Sequence, residues 1–340
     1  MDELADYTDY QFETKLQIEI EQLTKNKQAQ ASPKAYLLGG QPGAGKSGLH
    51  QLIKAQDPNA ITIDNDTFKW LHPKYQQLEQ KYGKDVVKYV TPFSNQMTES
   101  LIDYLSDKKF DLIIEGTLRT VEVPMATVTK LKSRGYEASL YVMAVPRIES
   151  YLGTLARYED QFSLSPKTAR ATTKEAHDLV VRQLPDNLDF LYKQRLFKEI
   201  RLYDRKGNKL YSSLENLNES PKQIITEILN RKLDNNTLLN SIDSVINKME
   251  INHHTTTPQY LDLVEKSTDL KKEISDKVQE QLKEFAEKNP KVNPKIEPKN
   301  KLNDIHQEIS ERTQKQLQAF AQQNPEIKQP DLDSNQSLKR

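Results

Sequence analysis

The chain has 340 residues, and its 49 lysines and arginines equal its 49 aspartates and glutamates. A formal net charge of zero excludes a whole-chain basic footprint for nucleic acid or an anionic membrane surface. With no cysteine there are no disulfides, thiolate metal sites or cysteine nucleophile, which fits a reducing compartment.

No apolar run approaches the roughly 20 residues of a membrane span. The acidic start Met1-Asp2-Glu3 lacks the positive-then-apolar pattern of a signal peptide. The expectation is a cytoplasmic protein with neither a membrane nor a nucleic-acid partner. A mean hydropathy of −0.79 is low for a chain of this size and points to a region that buries little.

Phe12, Leu16, Ile20 and Leu23 share one face of a first helix, with Thr8 before it as a cap. The apolar run Ala35–Leu38 reads as a buried strand, and Gly48–Lys54 as a helix. Between them stands Gly40-Gln41-Pro42-Gly43-Ala44-Gly45-Lys46-Ser47, a complete phosphate-binding loop. Glycines let successive backbone N–H groups converge on one centre, and the helix start adds its positive end. Lys46 is then placed for the β- and γ-phosphates of ATP, and the Ser47 hydroxyl for Mg²⁺.

Further strands are expected at Ile61–Ile63, Asp111–Ile114, Leu140–Val145 and Ile200–Tyr203, with crossover helices between them. Thr172-Thr173-Lys174-Glu175 reads as a capping box opening a helix that Pro185 ends. Asp204–Asn208 reads as the turn of a terminal hairpin. The alternation, which runs to about Leu229, predicts an α/β domain with a mostly parallel sheet flanked by helices, and together with the phosphate loop the fold class is a P-loop kinase fold over residues 1–250.

Residues 251–340 are rich in lysine, glutamate, glutamine, asparagine and proline, and contain an internal repeat. Glu273–Pro290 matches Glu308–Pro325 at a period of about 35 residues, each copy an amphipathic segment stopped by Asn-Pro. This stretch reads as a flexible, partly helical tail with two short helices, serving as a solvated spacer or as docking elements.

Strand ends supply the remaining chemistry, where open α/β sheets place their ligands. Asp64 or Asp66, after Ile61–Ile63, is placed to accept a proton from a substrate hydroxyl; a helix N-cap is the plainer role for either. Glu115, Thr117 and Arg119 follow the strand ending at Ile114, with Glu115 suited either to a metal or to a substrate hydrogen bond. Arg157 and Arg170 flank a polar stretch suited to neutralise transferring phosphate. The six histidines show no ligand spacing and receive no role.

These pieces together resemble the zeta toxin family over roughly residues 1–250. The motifs are Gly-Gln-Pro-Gly-Ala-Gly-Lys-Ser at 40–47, Ile-Asp-Asn-Asp-Thr-Phe-Lys at 63–69 and Val-Thr-Pro-Phe-Ser-Asn-Gln-Met-Thr-Glu at 90–99. Ile-Glu-Gly-Thr at 114–117, Tyr-Val-Met-Ala-Val-Pro at 141–146, Tyr-Leu-Gly-Thr at 151–154 and Thr-Ala-Arg-Ala-Thr at 168–172 continue it.

The resemblance implies a toxin kinase that uses ATP and Mg²⁺ to phosphorylate the 3′-hydroxyl of the sugar in UDP-N-acetylglucosamine, stalling peptidoglycan synthesis. It also implies neutralisation by a small helical epsilon-type antitoxin, as a heterotetramer with an antitoxin dimer. By position, it makes Asp66 the base, and Lys46, Arg157 and Arg170 the groups on the ATP phosphates. Glu99, Glu115, Thr117, Arg119 and Thr127 fall at substrate-contacting positions. Leu118 departs from the pattern, which has glycine there, and is expected to narrow the acceptor cleft or restrict the backbone beside Thr117. The alternatives are a kinase for another small hydroxylated acceptor, or an interaction module acting through the tail.

Overall fold

The structure, a computed structural model, describes residues 3–288 apart from Thr168 and Asn218. The chain divides into two compact units, Met1–Asp234 and Asn235–Arg340.

The first unit runs α1 (Asp9–Thr24), β1 (Lys34–Gly39), α2 (Ser47–Gln56), β2 (Ile61–Ile63), α3 (Asn65–Phe68), α4 (Tyr75–Tyr82), α5 (Val86–Asp107) and β3 (Leu112–Glu115). It continues with α6 (Glu122–Ser133), β4 (Glu137–Met143), α7 (Arg147–Leu164), α8 (Lys174–Lys193), β5 (Glu199–Tyr203), β6 (Lys209–Ser212) and α9 (Pro221–Asn230). Its sheet has the order β2-β3-β1-β4-β5-β6. The first five strands are mutually parallel, and β6 pairs antiparallel with β5 as the expected hairpin.

Side chains alternate across a strand, so each strand feeds two cores. Leu37, Ile114, Leu140 and Leu202 face one core, with Phe12 and Leu16 of α1, Phe93 and Met97 of α5 and Leu184 and Leu188 of α8. Leu38, Ile113, Tyr141 and Tyr203 face the other, closed by Leu49 and Ile53 of α2. Burial on both faces explains why these strands read as continuous apolar runs rather than alternating ones. Each fully buried aliphatic side chain contributes about 1.5–3 kcal/mol.

Thr8 caps α1 in a complete capping box with Gln11, as expected. Two local expectations shift. The cap of α8 is Thr173, accepting from Ala176 N at 3.2 Å, rather than Thr172. Pro185 sits inside α8 instead of ending it. The lost N–H costs the helix one bond, but Val181 and Leu184 before it and Leu188 and Leu191 after it are all buried in the core, which holds both halves in line.

The second unit contributes α10 (Asn235–Ile251) and α11 (Pro258–Lys288). Residue 250, the boundary expected from composition, falls at the end of α10. Tyr260 Oη donates to Glu250 Oε1 at 2.9 Å, and Ser267 Oγ to Asp243 Oδ1 at 2.6 Å, so the two helices are tied by polar contacts beside Ile242, Val245 and Leu263. The first repeat copy begins within α11, a longer helix than the short segment expected; the second copy lies outside the described residues. Among the described residues no helix is long and apolar enough to cross a membrane.

Candidate active site

Parallel strands share one carboxyl-terminal edge, and every candidate from the first unit except Glu99, Thr127, Arg157 and Arg170 lies at or just after a strand end there. β1 lies at the centre of the order, where the connections diverge to either side, which is the switch point at which such sheets bind ligands. The loop Gly40–Lys46 leaves β1 at this point, and Ser47 begins α2.

The loop's shape depends on glycine. Gly43 has φ +73°, and a Cβ there would collide with the Ser150 carbonyl and lie 2.6 Å from Thr154 N, both in α7. Gly153 faces it from α7, where a Cβ would collide with the Gly43 carbonyl. The loop and α7 thus meet backbone to backbone. Arg205, in the β5–β6 turn, holds the carbonyl side of the same loop. Its Nε donates to Ala44 O at 3.1 Å and its Nη2 to Gly43 O at 2.6 Å, while Glu149 Oε1 sits 3.1 Å from Nε. Bonding these carbonyls from outside favours N–H groups directed inward.

Lys46 is nearly buried, with its Nζ 3.8 Å from Glu115 Oε1 at the end of β3. Burial pulls its ammonium below the usual lysine range, opposed by Glu115, Asp66 and Asp64. His50, one turn into α2, holds the other Glu115 oxygen at 2.8 Å. Burial raises the Glu115 carboxyl, but His50 and Lys46 outweigh it and the net shift is downward. Glu115 is therefore ionised at neutral pH.

The two acids after β2 separate by role. Asp64 is the N-cap of α3, accepting from Asp66 N at 3.0 Å, and burial raises its pKa. The Asp66 carboxylate is hydrogen-bonded by Lys69 and lies 3.9 Å from Arg170 Nη1. Burial acts upward on Asp66, but Lys69, Arg170 and Arg157 together bring it below the usual range. Arg157, in α7, donates to Thr172 Oγ1 at 3.3 Å, and Arg170 lies in the segment before α8.

Lys46, Glu115, Asp66, Arg170 and Arg157 therefore form one electrostatic cluster at the mouth of the loop. Thr117 and Arg119, on the same edge, are exposed and outside it; Glu99 on α5 is exposed and Thr127 on α6 half-buried. Asn65 Nδ2 donates to Thr98 Oγ1 at 3.0 Å, which fixes the β2 exit beside the α5 turn that carries Glu99.

Leu118 has φ +54°, the left-handed region that glycine favours, beside Thr117, and its side chain is buried in the core. It packs over Gly39, where a Cβ would collide with it. Asn187 of α8 donates to both Leu118 O and Arg119 O at 2.9 Å, which fixes the loop that presents Thr117 and Arg119. Arg205, His50 and Asn187 were missed in the sequence because nothing local marks them.

The fit to a nucleotide rests on the glycine-shaped loop, the buried Lys46 and the exposed Ser47 at the start of α2. Among the described residues no group of three or more histidines or acids could hold a metal by itself. A divalent cation here would be held through Ser47 together with phosphate oxygens.

The family described as zeta toxin matches residues 19–216. Toxin zeta of Streptococcus agalactiae is 49% identical over 272 residues, spanning 80% of this chain and 95% of that protein. Toxin PezT of Streptococcus pneumoniae is 42% identical over 228 residues, 67% of this chain and 90% of that protein. A solved chain from the PezAT chromosomal toxin–antitoxin system of Streptococcus pneumoniae superposes with a TM-score of 0.67 at 35% identity, covering 74% of this chain and 99% of that one. With the phosphate loop, the sheet order and the matched span all falling in the same unit, this chain belongs to the zeta toxin family.

Proposed function

We propose that this protein is a toxin kinase that transfers the γ-phosphate of ATP to the 3′-hydroxyl of the sugar in UDP-N-acetylglucosamine, and so blocks peptidoglycan synthesis in the cytoplasm. The observation that carries this reading is the single cluster of Lys46, Asp66, Arg157 and Arg170 around the mouth of the phosphate loop.

In the proposed step the acceptor hydroxyl hydrogen-bonds to the Asp66 carboxylate. Its oxygen attacks the γ-phosphorus in line, the bond to the bridging oxygen breaks, and ADP leaves with that oxygen; the acceptor proton passes to Asp66. An aspartate held below its usual pKa is a weak base. Phosphoryl transfer through a loose transition state needs little more, since most of the catalysis is positioning and charge neutralisation. Lys46 serves the β- and γ-oxygens, and Arg157 and Arg170 neutralise the transferring group. Mg²⁺, held by Ser47 and phosphate oxygens, would supply further neutralisation.

Glu99, Glu115, Thr117, Arg119 and Thr127 are proposed to contact the acceptor, with Thr117 and Arg119 presented by the loop that Asn187 fixes. Burial of Leu118 supports an acceptor cleft free of its side chain. The kinase is assigned to residues 1–250 and the repeated segment to the tail beyond. The relation to the PezAT system supports an antitoxin partner, proposed as a small helical epsilon-type protein in a heterotetramer.

Incubation with ATP-Mg²⁺ and UDP-N-acetylglucosamine, followed by mass spectrometry, tests the assignment. The expected product carries one added phosphate on the sugar. ADP formed with the sugar nucleotide untouched would overturn the acceptor, and no ADP at all would overturn the kinase.

A further inference from the structure

Behind the phosphate loop lies a buried polar chain that the proposed chemistry does not use. Gln41, Ser150 and His177 are each 0% exposed. Gln41 Nε2 donates to Val145 O at 2.9 Å and lies 3.4 Å from Ser150 Oγ. Ser150 Oγ lies 2.8 Å from His177 Nε2, and His177 Nδ1 lies 3.1 Å from Asp178 Oδ1. Asp178 ends the chain in ion pairs with Arg147 at 3.3 Å and Lys174 at 3.1 Å. The order serine, histidine, aspartate has the spacing of a hydrolytic triad. Ser150 is sealed from solvent, however, so no acyl substrate can reach it.

The protons can be assigned from the partners. Burial acts upward on the Asp178 carboxyl, but its hydrogen bonds to Lys174, His177 and Arg147 bring it down to about 2, so it is ionised and can only accept. His177 Nδ1 therefore carries a hydrogen. Burial lowers the His177 pKa despite Asp178, which leaves a neutral ring with Nε2 as acceptor. The Ser150 hydroxyl then donates to Nε2 rather than to Arg147 O, 3.0 Å away, and its oxygen accepts from Gln41. Every donor points the same way, from the loop to the carboxylate, an arrangement in which each bond polarises the next.

Each member of the chain sits on a different part of the phosphate machinery. Gln41 belongs to the loop. Ser150 lies on α7 about two turns before Arg157, and its own carbonyl faces Gly43. His177 and Asp178 lie in the first turn or so of α8, which follows directly from the segment carrying Arg170.

We propose that His177 is a positioning residue for phosphoryl transfer: the donor chain Gln41–Ser150–His177–Asp178 locks α7 with Arg157, and the segment with Arg170, onto the phosphate loop. This rests on the kinase reading of the site but not on the identity of the acceptor. The loop is also held by Arg205 and by the Gln41–Val145 bond, so breaking the chain at His177 disturbs the arginines more than the nucleotide cradle.

Three variants of the full-length protein test it: His177→Phe, which keeps a ring and removes both hydrogen bonds; His177→Gln, which keeps an amide for Ser150; and Ser150→Ala. ADP release is measured at saturating ATP-Mg²⁺ with and without UDP-N-acetylglucosamine, and affinity for a non-hydrolysable ATP analogue by calorimetry. A small misplacement of a charge-neutralising group costs up to about 100-fold in rate. The expectation is that His177→Phe lowers kcat by about 10- to 100-fold while analogue affinity changes by less than about threefold, with most of the rate recovered in His177→Gln.

Wild-type kcat in a folded His177→Phe protein would overturn the proposal, as would equal losses in the Phe and Gln variants. Should His177→Phe fail to fold, Ser150→Ala decides: a lowered kcat at unchanged analogue affinity supports the chain, and an unchanged kcat overturns it. A wild-type protein that releases ADP without modifying the sugar nucleotide sinks only the acceptor assignment, and the variant comparison is then read from ADP release. A wild-type protein that releases no ADP removes both readings.

Discussion

The phosphate half and the acceptor half of the proposed site are built by different means. Around Gly40–Ser47 the loop is supported by buried or backbone-bonded contacts: Gly43 against α7, Arg205 on two carbonyls, Gln41 in a buried chain. Asp66, Thr117 and Arg119, proposed for the acceptor, are exposed side chains on short strand exits whose backbone is fixed by Asp64, Asn65 and Asn187. A phosphate looks the same in every nucleotide, so a rigid main-chain cradle suffices. An acceptor is particular, and side chains on a fixed loop can be exchanged without rebuilding the sheet.

The comparison breaks first at the residues that join the halves. Asp66→Ala is expected to fold and bind ATP but lose transfer by roughly 10²–10⁴-fold, the usual range for removing a general base. Lys46→Ala should abolish transfer and growth inhibition together; toxicity that persists would remove the kinase mechanism. Next comes Gly153→Ala. Helix propensity alone favours alanine by about 1 kcal/mol, yet its methyl would collide with Gly43 O. Analogue affinity should fall by about tenfold or more, equivalent to about 1.4 kcal/mol, and an affinity at or above wild type would show that the loop is not packed as described.

Arg205→Ala sharpens the same side with a smaller effect. It removes donors from two loop carbonyls, and because the guanidinium is partly exposed, water replaces much of what is lost. A rise in the KM for ATP of up to about tenfold, with kcat nearly unchanged, is expected from initial rates.

On the acceptor side, Arg119→Ala should raise the KM for the sugar nucleotide by about 10-fold, the scale of one charge-assisted hydrogen bond, with analogue affinity unchanged. Parallel loss of both affinities would mean that the halves are not separable. The mildest functional effect belongs to Leu118→Gly. Glycine relieves a left-handed backbone worth about 1–2 kcal/mol but forfeits a buried leucine worth about 2–5 kcal/mol. Thermal unfolding should therefore show a net loss of about 1–3 kcal/mol with the acceptor KM unmoved.

Much of this was legible along the chain, because the signals are local. An apolar run followed by glycines and Lys-Ser needs only consecutive residues to specify strand, loop and helix, and the structure places β1, the loop and α2 accordingly. The cap of α1 and the β5–β6 turn were readable for the same reason. Pro185 misled because a local rule for ending helices was overridden by apolar side chains buried on both sides of it. Which way the Leu118 side chain points was not legible, because spacing along the chain does not record it.

What only the folded molecule decided are the meetings of distant side chains. His50 reaches Glu115 across 65 residues, Asn187 reaches Leu118 across 69, and Arg205 reaches Ala44 across 161. Periodicity carries no record of such pairs, since they depend on the order β2-β3-β1-β4-β5-β6 bringing particular strand ends side by side. Local residue order set out the chemistry on offer: a phosphate cradle, two acids and two arginines. Tertiary structure alone decided which acid caps a helix and which faces the arginines, and which histidine lies buried behind the loop, because those choices are made by three-dimensional packing and not by spacing along the chain.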